Sequence, residues 1–205
     1  KKINLDDDYI KFIRYGQYFV EKNGEGILAF ITNNSFIDGL THRKMREDLL
    51  KAFDSIYIID LHGNSKREEK AKDGSKDENV FDITQGVSIN IFVKNKGASA
   101  SKLAEIFHHD LLGLRKEKYH FLQQNKISSI DWNKLNPCAP NYFFIPKQFK
   151  GKKSYDSGFN IKDIFLISGN GIGTDRDKLF YDFDKVNLEK RFKTFFSNEG
   201  LEGSF

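Results

Sequence analysis

The sequence contains a single cysteine, three prolines and no apolar run long enough to cross a membrane. One thiol, Cys138, cannot form an internal disulfide or hold a zinc ion alone, which excludes disulfide scaffolds and zinc fingers and favours a reducing compartment. The start KKINLDDDY lacks the apolar segment of a signal peptide, and a membrane span needs about 18 apolar residues. We therefore expect a cytoplasmic protein without a membrane partner.

A strong excess of charge of either sign is also missing. The 33 Lys and Arg residues against 29 Asp and Glu residues give a net charge of +4, which tolerates a polyanionic partner but is far below the charge density of a histone-like protein. Apolar material for a core is present, because 39% of the 205 residues are hydrophobic and 14% are aromatic. This length fits one large domain or about one and a half ordinary ones.

The first 61 residues alternate between helical and strand patterns. Apolar residues recur at helical spacing over 6–21, where Asn23-Gly24 ends the pattern, and again over 41–53. Short apolar runs at 27–32 and 56–61 predict strands buried on both faces. Helix, strand, helix, strand at this spacing predicts part of a parallel α/β sheet.

The segment between Leu61 and Gly86 is polar, charged and nearly without periodicity. Connections of this length in compact domains are usually functional or disordered. Residues 87–93 alternate as in a strand, and we expect this strand to pair with the preceding one as a wide hairpin. The pattern predicts a further short strand at 103–108 and a polar helix at 114–124.

The composition changes beyond residue 125. All three prolines fall within 137–146, and about half of the aromatic residues lie from Tyr142 onward. We interpret this part as a second, smaller, aromatic-rich and mainly β segment. The chain reaches Phe205 without a terminating element and begins in mid-fold, so we expect it to be a piece of a longer polypeptide.

The motif Gly169-Asn-Gly-Ile-Gly173 superficially resembles a phosphate-binding turn. A nucleotide fingerprint needs an apolar helix directly after the glycines. Here the alternating Phe and Tyr of 179–183 favour a strand instead. An unrelated nucleotide-binding domain that uses this loop is therefore the weakest of the alternatives.

The histidines form no metal site on spacing alone. His108 and His109 are adjacent, so in a strand they point to opposite faces, and His42 and His62 lack cysteine or carboxylate partners at ligand spacing. We expect a solvated or capping role for each. On the second helix we expect Arg46 and its basic neighbours to face solvent or to cap.

Basic residues mixed with aromatic ones can bind a phosphate backbone. Such mixtures occur around Phe149 and beside Phe180. The residues that we assign to DNA binding are Lys147, Lys150, Lys152, Lys153, Arg176 and Lys178. An ordinary solvated loop is the open alternative.

Two stretches, GILAFITNNSFIDGLTHRKMREDLLKAFDSIYIIDLHGNSKRE and NVFDITQGVSINIFVKN, resemble the C-terminal half of the catalytic domain of gamma-class adenine-specific DNA methyltransferases. The likeness is strongest to the large single-polypeptide restriction–modification enzymes of types IIG and ISP, whose early target-recognition region resembles GNGIGTDRDKLFYDFD. The resemblance implies a partial Rossmann-like methyltransferase sheet in residues 1–118. A linker and the start of a target-recognition region would follow in 119–205.

The resemblance further implies transfer of a methyl group from S-adenosylmethionine to the exocyclic amine of a flipped adenine in double-stranded DNA. Phe81 stands where the family has an aromatic that contacts the target base, and a ring there replaces part of the base stacking that flipping removes. A core position for Phe81 is the open alternative.

Two motifs of this family do not occur in the sequence. The chain has neither the F-x-G-x-G-like cofactor loop nor the (N/D)PP(Y/F/W) tetrapeptide, and the NNSF at 33–36 lacks both prolines. We therefore expect no catalytic, cofactor-binding or metal-binding residue in this chain and no activity of the chain alone. Its partner would be the N-terminal half of the same polypeptide.

A non-catalytic DNA-binding or specificity module is the alternative function. It predicts a stable chain that binds duplex DNA unaided, with an affinity that falls as salt rises. The methyltransferase-fragment interpretation instead predicts weak DNA binding and an exposed apolar sheet edge.

Overall fold

The computed structural model of the chain describes residues 4–67, 69–71, 73–97, 102–165, 167 and 177–197. The chain divides into two compact units, Lys1–Gln148 and Phe149–Phe205. No helix within the described residues is long and apolar enough to cross a membrane.

The first unit alternates helices and strands. Helix α1 (Asp8–Asn23) ends at Gly24, whose φ of 82° is a left-handed conformation that glycine adopts without strain. The other elements are β1 (Gly26–Asn33), α2 (Ser35–Asp38), α3 (Arg43–Ala52), β2 (Ser55–Asp60), β3 (Val87–Lys94), β4 (Glu105–Asp110), α4 (Arg115–Gln124) and β5 (Asn133–Leu135), with 3-10 turns at Asn4–Asp6, Leu40–His42 and Ile127–Ser129. The helices and strands that the hydrophobic pattern predicts in this unit are confirmed.

Five strands form one mixed sheet in the described residues, in the order β1-β3-β2-β4-β5. Strand β3 lies between β1 and β2 and is antiparallel to both, so the expected wide hairpin is confirmed. Strand β4 is parallel to β2. Because β1, β2 and β4 run in one direction, their carboxyl ends and the start of β3 lie at the same edge of the sheet.

Two apolar clusters form the core of the first unit, and β2 contributes to both. Ile56 and Ile58 belong to the cluster that contains buried residues of α1 and α3. Ile59 and Leu61 belong to the second cluster, with Val80 from the long connection and partly buried side chains of α4. Since neighbouring side chains of a strand point to opposite faces, the sheet is covered on both faces along β2.

Strand β1 is not buried on both faces, which corrects the prediction from its sequence. Leu28 is buried and lies against α1, whereas Ile27 and Ile31 on the opposite face are 69% and 52% exposed. Among the described strands only β3 pairs with β1, so β1 is an edge strand of this sheet. An edge strand with exposed apolar side chains is what the methyltransferase-fragment interpretation predicts.

The second unit is helical where it is described, which differs from the mainly β segment expected. Its helices are α5 (Lys152–Asp156), α6 (Ile161–Ile164), α7 (Asp177–Phe180) and α8 (Lys185–Phe196). Of the residues 179–183 that were expected to form a strand, Leu179 and Phe180 end α7 and the other three lie between α7 and α8. Asp184 then caps α8, its carboxylate accepting from the amides of Val186 and Asn187 at 2.7 and 3.2 Å. Strand β5 pairs with β4 in the first unit, and a functional boundary at residue 118 stays a prediction.

Candidate functional site

The described part of the long polar connection between β2 and β3 begins and ends at the carboxyl edge of the sheet. At its two ends, the Leu61 amide donates to the Val87 carbonyl at 3.0 Å and the Val87 amide donates to the His62 carbonyl at 3.1 Å. The Asn34 amide, just after β1, donates to the Gly86 carbonyl at 3.0 Å. The two ends of the connection are therefore hydrogen-bonded to each other, and its C-terminal end is also hydrogen-bonded to the residue that follows β1.

A buried ion pair fixes the middle of this connection to α4. Lys118 Nζ lies 2.7 Å from Asp77 Oδ1, and both side chains are fully buried. Lys118 also donates to two backbone carbonyls, one of them that of Leu61 at 2.7 Å. The Asp77 carboxylate accepts from the amides of Gly63 and Gly113 at 2.7 and 2.8 Å. Buried charges are tolerated when they are paired and hydrogen-bonded in this way.

Asn79 holds the segment that carries Phe81. Its amide nitrogen donates to the carbonyls of Gly63, Ile83 and Gln85 at 2.8 to 3.1 Å, and its Oδ1 accepts from the Phe81 amide at 2.9 Å. Gly63 has a φ of 82°, and a Cβ there would lie 2.4 Å from Asn79 Cα. Only glycine fits at this close approach.

Phe81 is 44% exposed and belongs to neither apolar cluster of the described residues. Arg115 donates to the carbonyls of Asn79 at 2.7 Å and Phe81 at 3.2 Å, and pairs with Asp82 at 2.7 Å. The ring lines an open hollow of about 1080 Å³ between the connection and the start of α4. An exposed aromatic side chain beside a hollow can contact a planar ligand.

The four lysines assigned to DNA binding near Phe149 all lie at the surface: Lys147, Lys150, Lys152 and Lys153. Lys147 Nζ lies 5.2 Å from the centre of the Phe143 ring, a cation–π contact within the first unit. Lys152 forms a salt bridge of 2.7 Å with Asp156 in the second unit. Their exposure leaves them accessible to a phosphate backbone but assigns no ligand to them.

Arg176 and the glycine motif at 169–173 lie outside the described residues. Lys178 lies in α7, where its backbone alone is described. The DNA-binding roles of Arg176 and Lys178 stay predictions. Elsewhere in the second unit, aromatic side chains are strongly exposed, with Tyr155 at 86% and Phe183 at 95%.

His62 has carboxylate partners, contrary to the prediction from spacing. Its Nε2 lies 2.9 Å from Asp110 Oδ1, and its Nδ1 lies 3.8 Å from both Asp60 Oδ2 and Glu69 Oε1. Asp110 is 48 residues away, but the pairing of β2 with β4 sets it opposite Asp60. The available signal was that two buried strands each end in aspartate, and spacing along the chain could not show that these strands are neighbours.

Three other side chains expected at the surface are buried. Arg46 is fully buried and donates to three backbone carbonyls, among them that of Phe36 at 2.6 Å. Burial lowers the pKa of Arg46 to about 10. His42 and His108 are only 2% and 1% exposed. The backbone carbonyls of Phe36 and Gly39, around α2, accept hydrogen bonds from Arg46. A sequence pattern does not show that buried carbonyls at this place require a donor.

The pKa values around His62 follow from burial and from its partners. Burial by itself would lower the pKa of His62, but the hydrogen bond to Asp110 and the charges of Asp60 and Glu69 raise it above its ordinary value. Burial lowers the pKa of His108 and raises that of Asp60. The pKa of Asp110 is lowered, because the His62 hydrogen bond and the nearby imidazoles outweigh the effect of burial.

The architecture is shared with proteins whose structures were solved on DNA, although no protein-family model and no curated protein matches the chain significantly. The ATP-dependent type ISP restriction–modification enzyme LlaBIII bound to DNA is 27% identical over 93% of this chain, with a TM-score of 0.64. The DrdV–DNA complex is 26% identical over 96%, with a TM-score of 0.61. A nuclease-deletion mutant of the type ISP enzyme LlaGI in complex with a DNA substrate mimic shares the fold at 24% identity over 95%, with a TM-score of 0.62. The chain spans 20%, 13% and 18% of the lengths of DrdV, LlaBIII and LlaGI, respectively.

Proposed function

We propose that this chain is part of a site-specific DNA methyltransferase of a restriction–modification system, which transfers a methyl group from S-adenosylmethionine to the exocyclic amine of adenine in double-stranded DNA. The observation that carries the proposal is the exposed Phe81 ring on a fixed backbone beside an open hollow. The similarity to DNA-bound type ISP restriction–modification enzymes supports it independently.

In this proposal Phe81 stacks on the target adenine after the base has rotated out of the duplex. An extruded base loses its stacking neighbours, and an aromatic ring restores about 1–3 kcal/mol per base. Asn79 and Arg115 hold the main chain on both sides of Phe81. Little conformational entropy is then lost when the base arrives.

Among the described residues, Asn33 and Asn34 do not fit the role of acceptors for the adenine amino group. Asn33 Oδ1 accepts from the Ser35 amide at 2.7 Å, and Asn34 Nδ2 donates to Asp60 Oδ1 at 2.9 Å. The side-chain amides of Asn33, which ends β1, and of Asn34, which follows it, are therefore engaged in local structure. In the proposal the cofactor site and the amino-group acceptors come from the N-terminal half of the same polypeptide.

The complete polypeptide that contains this chain tests the proposal. Its DNA product should contain N6-methyladenine by mass spectrometry. Phe81→Ala should lower kcat/KM for methylation about 5- to 150-fold, the factor that corresponds to 1–3 kcal/mol. The affinity for S-adenosylmethionine should not change, and 2-aminopurine at the target position should brighten less on binding.

Ile83→Ala is the matched control, since Ile83 lies on the same hollow, is 49% exposed and has no ring. Equal methylation kinetics for Phe81→Ala and the unaltered polypeptide would remove the base contact from the proposal. If the intact polypeptide binds DNA and forms no methyladenine, the non-catalytic DNA-binding module becomes the better function.

The exposed lysines are proposed to contact DNA phosphates. Replacing Lys150 and Lys153 by Ala should weaken DNA binding without altering the preferred sequence, because phosphate contacts carry no base information. The slope of log affinity against log salt should fall by about 0.9 for each phosphate that a lysine no longer neutralises. An unchanged slope would show that these two lysines face solvent in the complex.

A further inference from the structure

Four ionisable side chains converge where β2 and β4 end. Asp60 ends β2, His62 follows it, Asp110 ends β4 and Glu69 comes from the long connection. We call these four residues the His62 cluster. They line a small hollow of about 190 Å³, and donor atoms of Asp60, His62 and Asp110 all lie within 4.8 Å of one another.

Two carboxylates of the cluster are each oriented through one oxygen. Asp60 Oδ1 accepts from Asn34 Nδ2 at 2.9 Å and from the His62 amide at 3.0 Å, which leaves Oδ2 toward the imidazole. Glu69 Oε2 accepts from the Asn64 amide at 3.0 Å, which leaves Oε1 facing His62 Nδ1. Hydrogen bonds of this kind orient the ligands of metal sites.

The imidazole of His62 is placed between carboxylates. Its Nε2 lies 2.9 Å from Asp110 Oδ1, a hydrogen bond that a cation bound between the two groups would replace. Its Nδ1 faces Glu69 across 3.8 Å, which is too long for a hydrogen bond. Asp110 is 41% exposed, so an ion has access from solvent.

A second, independent observation comes from His108. Its side chain is 1% exposed, and neither ring nitrogen has a hydrogen-bond partner among the described residues. Its Nδ1 points at the cluster and lies 3.7 Å from Asp110 Oδ2. A buried polar group without a partner is rare in native proteins. The hydration shell of a bound ion supplies such a partner.

The charges of the cluster are unbalanced. Three carboxylates face one imidazole, and the guanidinium that lines the same hollow, Arg67, lies 3.9 Å from a different carboxylate, Asp38. We infer that the His62 cluster binds one divalent transition-metal ion, Mn²⁺ or Zn²⁺, through Asp60, His62 and Asp110, with Glu69 next to the site. One nitrogen with carboxylate oxygens suits these two ions. This inference does not depend on the proposed methyl transfer.

Calorimetric titration of the metal-free protein with MnCl₂ and with ZnCl₂ tests the inference. One equivalent should bind, and the affinity should fall as pH falls because the ligand groups must be deprotonated to bind the ion. Asp110→Asn and Asp60→Asn should weaken binding at least about tenfold. Asp48→Asn, an exposed acid on α3, is the matched control. Equal affinity in Asp110→Asn and Asp48→Asn, or no binding at all, overturns the site.

A spectroscopic measurement on the unaltered protein covers the case in which these variants do not fold. Pulsed electron paramagnetic resonance of the bound Mn²⁺ should show coupling to one imidazole nitrogen. His120→Gln, which replaces an exposed histidine of α4, should leave that coupling unchanged. Absence of nitrogen coupling, or its loss in His120→Gln, overturns the assignment.

Discussion

Two charged clusters lie along the same connection and differ in how completely they are paired. Asp77 and Lys118 are one anion and one cation, fully buried, with hydrogen bonds to backbone groups on every side. The His62 cluster has three carboxylates around one imidazole, and Asp110 is open to solvent. The first arrangement is complete without a ligand, whereas the second has charge and donor atoms left over. A structural ion pair has all of its charges and polar atoms paired within the protein, whereas a binding site leaves some of them for a ligand.

Removal of Lys118 should have the largest effect on stability. Lys118→Met leaves the Asp77 carboxylate buried without a cation, and breaking a buried pair in this way costs about 3–5 kcal/mol of unfolding free energy. Urea denaturation measures the decrease. Lys116→Met, at an exposed position of the same helix, should change stability by less than about 0.5 kcal/mol.

A double variant sharpens this test. Asp77→Asn combined with Lys118→Met should lower the free energy of unfolding by less than the sum of the two single variants. Each single variant leaves its partner buried and unpaired, and the double variant does not. Full additivity would show that the two charges do not stabilise each other, and the contrast with the His62 cluster would fail.

Gly63 lies between the two clusters, and its replacement should have the next largest effect. In Gly63→Ala the new Cβ meets the Asn79 main chain at 2.4 Å in a left-handed conformation, and we expect a decrease of about 3 kcal/mol in the free energy of unfolding. Gly74→Ala is the control, with a φ of 86° and open space around it. It should cost about 1 kcal/mol, the strain alone. Equal decreases would mean that the close approach to Asn79 has no energetic role.

The two histidines near Asp110 should give opposite dependences of stability on pH in metal-free buffer. His62 has a raised pKa, so it stabilises the fold below its unfolded value of about 6.5, and that stability is lost as pH rises through the folded value. His108 has a lowered pKa, so it stabilises above about 6.5, and that stability is lost as pH falls through the folded value.

Single variants separate these two contributions. Compared with the unaltered protein between about pH 5.5 and 7.5, His62→Gln should lose stability more steeply as pH falls, because His62 no longer offsets His108 and His42, whose pKa values are lowered. His108→Leu should lose stability more steeply as pH rises. Urea denaturation at three pH values measures both slopes. Slopes of the same sign in the two variants would contradict the assigned directions.

The contrast between the two clusters also shows what the sequence could predict. Periodicity predicted the helices and strands of the first unit because apolar spacing is a local property of the chain. Neither cluster could be predicted from the sequence. Asp77 contacts Lys118 only because the connection folds back onto α4, and Asp60 lies opposite Asp110 only because β2 pairs with β4. The base-contact role of Phe81 came from the family resemblance and stays a prediction; the structure adds that its side chain is 44% exposed. The local spacing of apolar residues predicts helices and strands. The charged sites depend on contacts between residues that are distant in sequence, which only the folded topology creates.

Phe81→Ala should have the smallest effect on stability, less than about 0.5 kcal/mol, because the ring is exposed and no described hydrogen bond uses its side chain. Urea denaturation of the protein checks this directly, with Val80→Ala as the contrast. Val80 is buried beside Phe81, and its truncation should cost about 1–3 kcal/mol. A large decrease in the free energy of unfolding for Phe81→Ala would mean that the ring stabilises the connection, which argues against a role in binding only. If the decrease is small and base capture still falls, the connection is held by its buried groups, which leaves the exposed ring free to bind the target base.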